Sequence, residues 1–94
     1  MAISLTEIHQ LTEKNELEEA EKLCRDYITH FPDEIEASIL LGKIIANQGR
    51  HDDAIAFLLE VAKTNPRNFD IQYLLGRIYE LLKEDFENAL EYYR

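Results

Sequence analysis

A repeat with a period of about 34 residues runs through the chain and limits what it can fold into. Residues 39–44 (ILLGKI) return as residues 73–78 (YLLGRI), and Pro32 returns as Pro66. A fixed period of this size is typical of proteins that stack one supersecondary unit on the next, because a single unit cannot bury its apolar face alone. We therefore expect the 94 residues to form an array of similar units.

Apolar residues within each unit follow the spacing of an α-helix. In the second unit Leu40, Leu41, Ile44 and Ile45 form one stripe with spacings of three and four residues. No run alternates apolar and polar residues in the manner of a strand with turn residues at its ends. The pattern predicts an all-α protein of six helices in three antiparallel pairs, at about 4–14, 17–30, 34–48, 52–64, 69–82 and 86–94.

Residues that start and stop helices stand near the ends of these segments. Ser4 and Asp33 each precede a glutamate by three residues, the spacing of an N-cap and its reciprocal carboxylate, and Asn68 is suited to a third N-cap. Gly49 follows a helical stripe, where a left-handed residue commonly ends a helix. Residues 83–85 (KED) are expected to form the last turn and to open the sixth helix.

Charge and cysteine content exclude several classes of function. Ten basic and nineteen acidic residues give a formal net charge of -9, which argues against nucleic acid or an anionic membrane surface as the main partner. The lack of a visible secretory signal and the single Cys24 favour a cytoplasmic location. His9, His30 and His51 are scattered without the spacing of a zinc site, so no metal or other cofactor is expected.

At these positions the sequence resembles the tetratricopeptide repeat family. The second unit has the small, large and turn-forming residues of the family at Leu41, Gly42, Ala54, Leu58, Val61 and Pro66. The first unit departs from the pattern at Ile8, where the family usually has glycine, and no unit has the family's tryptophan. The resemblance implies one domain, a right-handed α-solenoid of about three helix-turn-helix repeats, over residues 1–34, 35–68 and, incompletely, 69–94.

Small residues at matching positions predict close contact between paired helices. Gly42 and Gly76 stand on first helices, and Ala20, Ala54 and Ala89 stand on second helices. Without bulky side chains, paired helices can approach to an interaxial distance of about 8 Å. Larger residues at these positions are expected to lower the melting temperature by overpacking.

The resemblance also implies where a partner binds, because the first helices of the family line a concave groove. The corresponding positions of this sequence are Leu5, His9, Ile39, Lys43, Asn47, Tyr73 and Arg77. They include an apolar ladder of Leu5, Ile39 and Tyr73 and a cationic ladder of His9, Lys43 and Arg77. We expect the apolar ladder to be a contact surface, with some of it belonging to the core.

Two interpretations of the cationic ladder are open from the sequence. It is suited to a partner that carries carboxylates or phosphates. The other interpretation is an ordinary solvated surface. Glu36 and Asp70 lie about two turns before Lys43 and Arg77 on the same helix faces and can neutralise them.

The function implied by the resemblance is a non-catalytic scaffold that binds a peptide or a partner helix in the groove, with no catalytic residue and no cofactor. A second hypothesis is that the chain is the regulatory or oligomerising N-terminal segment of a larger enzyme. The last predicted helix is shorter than its counterparts and is not followed by a proline. This suggests a longer array, or self-association through Leu90, Tyr92 or Tyr93.

Overall fold

The computed structural model describes the backbone of residues 4–92 and the side chains of residues 4–82 and Glu84. Within these residues the chain forms five α-helices and no strand. They are α1 (Leu5–Glu13), α2 (Leu17–His30), α3 (Ile35–Asn47), α4 (His51–Thr64) and α5 (Phe69–Tyr92). The all-α fold predicted from the sequence is confirmed, with one helix fewer than expected in this part of the chain.

Each helix packs against the next one along the chain, and α3 also contacts α5. The connections are short, residues 14–16, 31–34, 48–50 and 65–68, and short connections make neighbouring helices antiparallel. The pairs α1–α2 and α3–α4 are therefore two hairpins of the same kind, stacked side by side. This arrangement is a helical-repeat solenoid, in which α1, α3 and α5 point the same way.

Two of the three predicted N-caps are confirmed. The Ser4 hydroxyl accepts a hydrogen bond from the Glu7 amide at 3.3 Å, and the Asn68 side-chain oxygen accepts one from the Ile71 amide at 3.0 Å. The cap predicted at Asp33 is wrong, because α3 begins one residue later and has Glu34 at its cap position. The Glu34 carboxylate is directed instead to α2, where it accepts a hydrogen bond from the Tyr27 hydroxyl.

Left-handed residues end the first helix of each hairpin. Gly49 has a φ of 82°, as predicted, and Asn15, at the equivalent position of the preceding unit, has a φ of 63°. Glycine and asparagine tolerate this region, whereas other L-residues lose roughly 1–2 kcal/mol there. The equivalent position of the following unit is occupied by Lys83. The third turn thus lacks the residue type that forms the other two.

The fifth helix is continuous through the predicted turn, so the expected break at residues 83–85 is wrong. α5 has 24 residues, and no glycine or proline occurs from residue 77 to its end. A run of residues that are compatible with a helix has no local reason to stop. Although α5 is long, no described helix combines the length and apolar content needed to cross a membrane.

The core lies between the helices of each hairpin and between the hairpins. Its largest fully buried side chains are Ile8, Leu41, Ile44, Ile45, Leu58, Ile71, Ile78 and Cys24. Ala20 and Ala54 have no exposed surface, which confirms the predicted close packing of the second helices. The Cys24 thiol donates a hydrogen bond to the Ala37 carbonyl at 3.3 Å, and burial raises its pKa to about 11.

The two helical glycines differ in their surroundings. A Cβ atom on Gly42 would lie 2.6 Å from Leu58 Cδ2, so α3 and α4 approach each other as predicted. A Cβ atom on Gly76 would meet nothing within 4 Å in the described part of the chain. The predicted close contact at Gly76 is therefore wrong, because α5 continues as one helix through the predicted turn and forms no second helix against this position. The side chain of Ala89, the predicted partner of Gly76, lies outside the described residues.

Candidate functional site

A groove of about 350 Å³ lies across α1, α3 and α5. The residues that line it are His9, Glu36, Ile39, Leu40, Lys43, Asp70, Tyr73 and Leu74. His9 comes from α1, four of the others come from α3, and the last three come from α5. The groove thus follows the side of the solenoid formed by the first helix of each hairpin together with α5.

The eight lining residues form four pairs that are one sequence period apart. Three of the pairs join α3 and α5, namely Glu36 with Asp70, Ile39 with Tyr73, and Leu40 with Leu74. Equivalent residues of two helices line one groove in this way when the helices run parallel and in register. Lys43 has the same relation to His9, which lines the groove from α1. The sequence period is therefore also a spatial period along this surface.

Four of the seven residues predicted for the site line the groove, namely His9, Ile39, Lys43 and Tyr73. The other three do not. Leu5 is half-buried and packs against the core, and Asn47 is the exposed last residue of α3. Arg77 is exposed one turn after Tyr73, and its Nη1 donates a hydrogen bond to the Tyr73 hydroxyl at 3.3 Å.

The predicted set omits four lining residues, Glu36, Leu40, Asp70 and Leu74. The sequence feature that identifies them is the spacing of residues that share a helix face, namely i, i+3, i+4 and i+7. Glu36, Ile39, Leu40 and Lys43 have this spacing on α3. Extending the groove from the ladders to the complete face therefore recovers the missing residues.

The apolar ladder divides between core and surface. Ile39 is only 8% exposed and its neighbour Leu40 only 4%, so both belong mainly to the core and form the floor of the groove. Tyr73 is 62% exposed. Among the apolar residues of the groove, Tyr73 thus offers most of the surface that a partner can bury.

Opposite charges occupy two separate places along the helices that form the groove. Glu36 and Asp70 lie in the first turns of α3 and α5, and Lys43 and Arg77 lie seven residues later on the same helices. Seven residues of helix extend about 10 Å. Consistent with this separation, none of the four forms an ion pair with another described residue.

A contrasting ionic cluster joins the two hairpins away from the groove. The Glu21 carboxylate on α2 accepts hydrogen bonds from Gln48 at 2.8 Å and from Arg50 at 2.9 Å, and it pairs with Arg25 at 2.9 Å. The hydrogen bond from Gln48 and the two arginines hold the pKa of Glu21 below its ordinary value, against the opposing effect of burial. These charges stabilise the stack, whereas the four charges of the groove helices form no ion pair with a described side chain.

Comparison with known families matches the tetratricopeptide repeat over residues 11–78, and a second model of the same description matches residues 69–94. The first match alone covers more than half of the chain. The chain belongs to the tetratricopeptide repeat family. No curated protein and no solved structure matches it significantly.

Tetratricopeptide repeats generally mediate protein–protein interaction, and domains built from them are typically non-catalytic scaffolds. The groove of this tetratricopeptide repeat chain is lined by residues that recur at the sequence period. Among the described residues no cluster of three or more His, Cys, Asp or Glu side chains is arranged to hold a metal ion. Cys24 is buried with a raised pKa, so its thiol is packed as a core residue and is not positioned as a nucleophile.

A larger depression of about 620 Å³ lies at the turn between α1 and α2. Its lining consists of residues 15–19 and Gln48, and it includes three glutamates. It lies at the start of α2, whereas the smaller groove extends across three helices. The smaller groove is the candidate functional site of this tetratricopeptide repeat protein, because periodicity, an exposed aromatic ring and charges without an ion-pair partner among the described residues coincide there.

Proposed function

We propose that the protein is a non-catalytic scaffold that holds a peptide or a helix of a partner protein in the groove across α1, α3 and α5. The observation that carries this proposal is the register of the groove, in which four pairs of residues recur at the spacing of the sequence period. A periodic surface fits an extended or helical ligand, because such a ligand presents its own side chains at regular intervals.

The absence of catalysis is part of the same proposal. Groups that exchange a proton with a substrate must meet within about 3 Å of the reacting atom. The carboxylates and cations of the groove are instead separated along the helices by about 10 Å. Charges at this separation suit contacts with different side chains of one partner.

We assign the ligand contacts to the groove residues together with the predicted positions next to it. Tyr73 supplies the aromatic surface and Lys43 a cation, with Arg77 held beside Tyr73 by their hydrogen bond. Leu5 and Asn47 belong to the proposed site as flanking positions on α1 and α3. The proposed domain extends over residues 1–94, with repeats at 1–34, 35–68 and 69–94.

A peptide library displayed against the immobilised protein tests the proposal. Tyr73→Ala is expected to weaken the selected peptides at least tenfold, because truncating an exposed aromatic contact at the centre of an interface commonly removes about 2 kcal/mol of binding free energy. The matched control is Tyr79→Ala. Tyr79 is a second exposed tyrosine on α5, 48% exposed, and does not line the groove.

The charge reversals Lys43→Glu and Arg77→Glu provide a second test. Selected peptides that bind both reversed variants and Tyr73→Ala with unchanged affinity would show that the groove is not the binding site. A loss that is equal for Tyr73→Ala and Tyr79→Ala would also contradict the assignment, because it would place the contact on another face of α5.

Self-association and the regulatory-segment hypothesis remain predictions. The residues proposed for self-association, Leu90, Tyr92 and Tyr93, have side chains outside the described part of the chain. Light scattering over a range of protein concentrations tests this hypothesis. A mass that stays monomeric at high concentration would remove it.

A further inference from the structure

The groove has a charge pattern that identifies the kind of partner it fits. The acidic row consists of Glu36 and Asp70, and the basic row consists of Lys43 and Arg77. Glu36, Asp70 and Lys43 line the groove, and Arg77 donates a hydrogen bond to Tyr73, which also lines it. Because α3 and α5 are parallel and in register, each row runs across the helices, and the floor lies between the rows. The groove therefore has one acidic edge and one basic edge.

The distance between the two edges matches the width of a helix. Seven residues separate the rows on each helix, which corresponds to about 10 Å. An α-helix with its side chains has a diameter of about 10–12 Å. A helix lying in the groove would thus place one flank against the acidic row and the other flank against the basic row.

The distance within a row sets the spacing of the partner's charges. α3 and α5 contact each other, and contacting helices lie about 8–10 Å apart. Along a partner helix, residues that are seven positions apart share a face and are separated by about 10 Å. One partner charge for each groove charge therefore requires a heptad spacing.

From these dimensions we infer that the groove binds an amphipathic helix with segregated charges. The helix carries Lys or Arg at positions i and i+7 on the flank that meets Glu36 and Asp70. It carries Asp or Glu at i and i+7 on the opposite flank, which meets Lys43 and Arg77, and an apolar residue between the flanks packs on Tyr73. The inference rests on the proposed function, because it specifies the ligand of the same groove.

The lack of ion pairs among the described residues at these four charges supports this choice of partner. An ion pair within the protein would already satisfy these side chains, as happens at Glu21 with Arg25 and Arg50. The two rows contribute formal charges of -2 and +2, so the groove is neutral within a chain of net charge -9. A partner with one sign of charge would meet attraction at one row and repulsion at the other. Only segregated charges are attracted by both.

Two synthetic helices of about 18 residues, labelled with a fluorophore, test the inference. The first has Lys at i and i+7 on one flank, Glu at i and i+7 on the other, and Leu at the centre. The second has the same composition with Lys and Glu mixed on both flanks. Binding to the full chain is measured by fluorescence anisotropy at low ionic strength. We expect the segregated helix to bind at least tenfold more tightly, a difference of about 1.4 kcal/mol, which shrinks as salt is added.

Charge exchange within the protein gives a sharper test. The double variant Glu36→Lys with Lys43→Glu reverses α3 alone, so each row then contains both signs and binding of the segregated helix is expected to fall about tenfold. Adding Asp70→Arg and Arg77→Asp reverses α5 as well. The quadruple variant again has two uniform rows, and the same helix is expected to bind with its original affinity in the reverse chain direction.

The outcomes separate the two proposals. Equal binding of the segregated and mixed helices, or quadruple-variant binding as weak as that of the double variant, would overturn the inference. If Tyr73→Ala still weakens binding in that case, the groove remains the binding site. If neither helix binds, or if binding does not respond to Tyr73→Ala, both the inference and the groove assignment fail for helical ligands. Circular dichroism melting of every variant controls for folding, since the exchanged side chains are exposed.

Discussion

Gly42 and Gly76 occupy equivalent positions of successive units, on α3 and α5, yet their surroundings differ. Gly42 has no room for a side chain, because a Cβ atom there would lie 2.6 Å from Leu58 Cδ2 of α4. A Cβ atom on Gly76 would meet nothing within 4 Å in the described part of the chain. The same contrast extends along the helices, since Ile45 is buried and its counterpart Tyr79 is 48% exposed. Residues at equivalent positions of two units therefore have the same packing role only when the helix that covers them is present in both units.

The largest expected effect concerns the residue that closes the Gly42 position. Leu58→Ala removes a fully buried side chain from α4 and is expected to lower the free energy of unfolding by about 2–5 kcal/mol. Urea denaturation measures the change. Leu59→Ala is the matched control, because Leu59 is 44% exposed on the same helix. Similar losses for both variants would contradict the packing of α4 on α3.

The next prediction uses the closed glycine itself. Gly42→Ala is expected to lower the free energy of unfolding by about 1–2 kcal/mol, since overpacking against Leu58 exceeds the gain in helix propensity. For a domain of this size, this corresponds to a fall in melting temperature of roughly 4–8 °C for each kcal/mol. In the Leu58→Ala background the loss should disappear, because the space is then free. An unchanged loss in that background would show that Leu58 is not its cause.

The open glycine is expected to respond in the opposite direction. Gly76→Ala should raise the free energy of unfolding by about 0.5–1 kcal/mol, because alanine has the higher helix propensity and its Cβ meets no neighbour in the described residues. Thermal denaturation monitored by circular dichroism measures the shift. Destabilisation similar to that of Gly42→Ala would contradict the difference between the two glycines, since it would show that a helix covers Gly76 in solution.

The smallest effect is expected at the ionic cluster that joins the two complete hairpins. Glu21→Gln should lower the free energy of unfolding at neutral pH by about 0.5–1 kcal/mol, by removing the attraction to Arg25 and Arg50. The folded-state pKa of Glu21 is below its ordinary value. Its carboxylate therefore stabilises the fold fully above the usual glutamate pKa of about 4.3, and this contribution is lost as the pH falls through the lower folded-state value.

Denaturation of Glu21→Gln and the natural chain at several pH values measures this dependence. The stability difference should be constant near neutrality and should narrow on acidification. A difference that widened below the usual glutamate pKa would mean that Glu21 is protonated more easily in the folded state, contrary to the direction of its pKa shift.

The sequence predicted the helices best where each turn carries its own signal. The predicted bounds of the first four helices agree with the structure to within one or two residues. Ser4 and Asn68 cap the starts of helices by hydrogen bonding, and Gly49 ends one with a left-handed backbone. Prediction failed at residues 83–85, where periodicity alone indicated a turn. Lys83 lacks the conformational freedom of Gly49, and the backbone there continues as a helix.

The site was predicted in part for a related reason. The sequence period identifies which residues are equivalent, and it predicts Lys43 and Tyr73 on the same face, where both line the groove. It does not show which helices cover each residue. α3 packs against α2, α4 and α5, whereas α5 packs against α3 and α4. Ile39 is therefore only 8% exposed, while its equivalent Tyr73 is 62% exposed.

Cys24 can report local opening of the fold, because its thiol reacts only when it is exposed to solvent. It is the single cysteine of the chain, and it lies where α2 packs against α3. With a pKa of about 11 and no exposed surface, its thiol is protected from alkylating reagents while the two hairpins are stacked. The rate at which a thiol reagent labels the native chain therefore reports the openings that expose Cys24, including separation of α2 from α3, without any engineered probe.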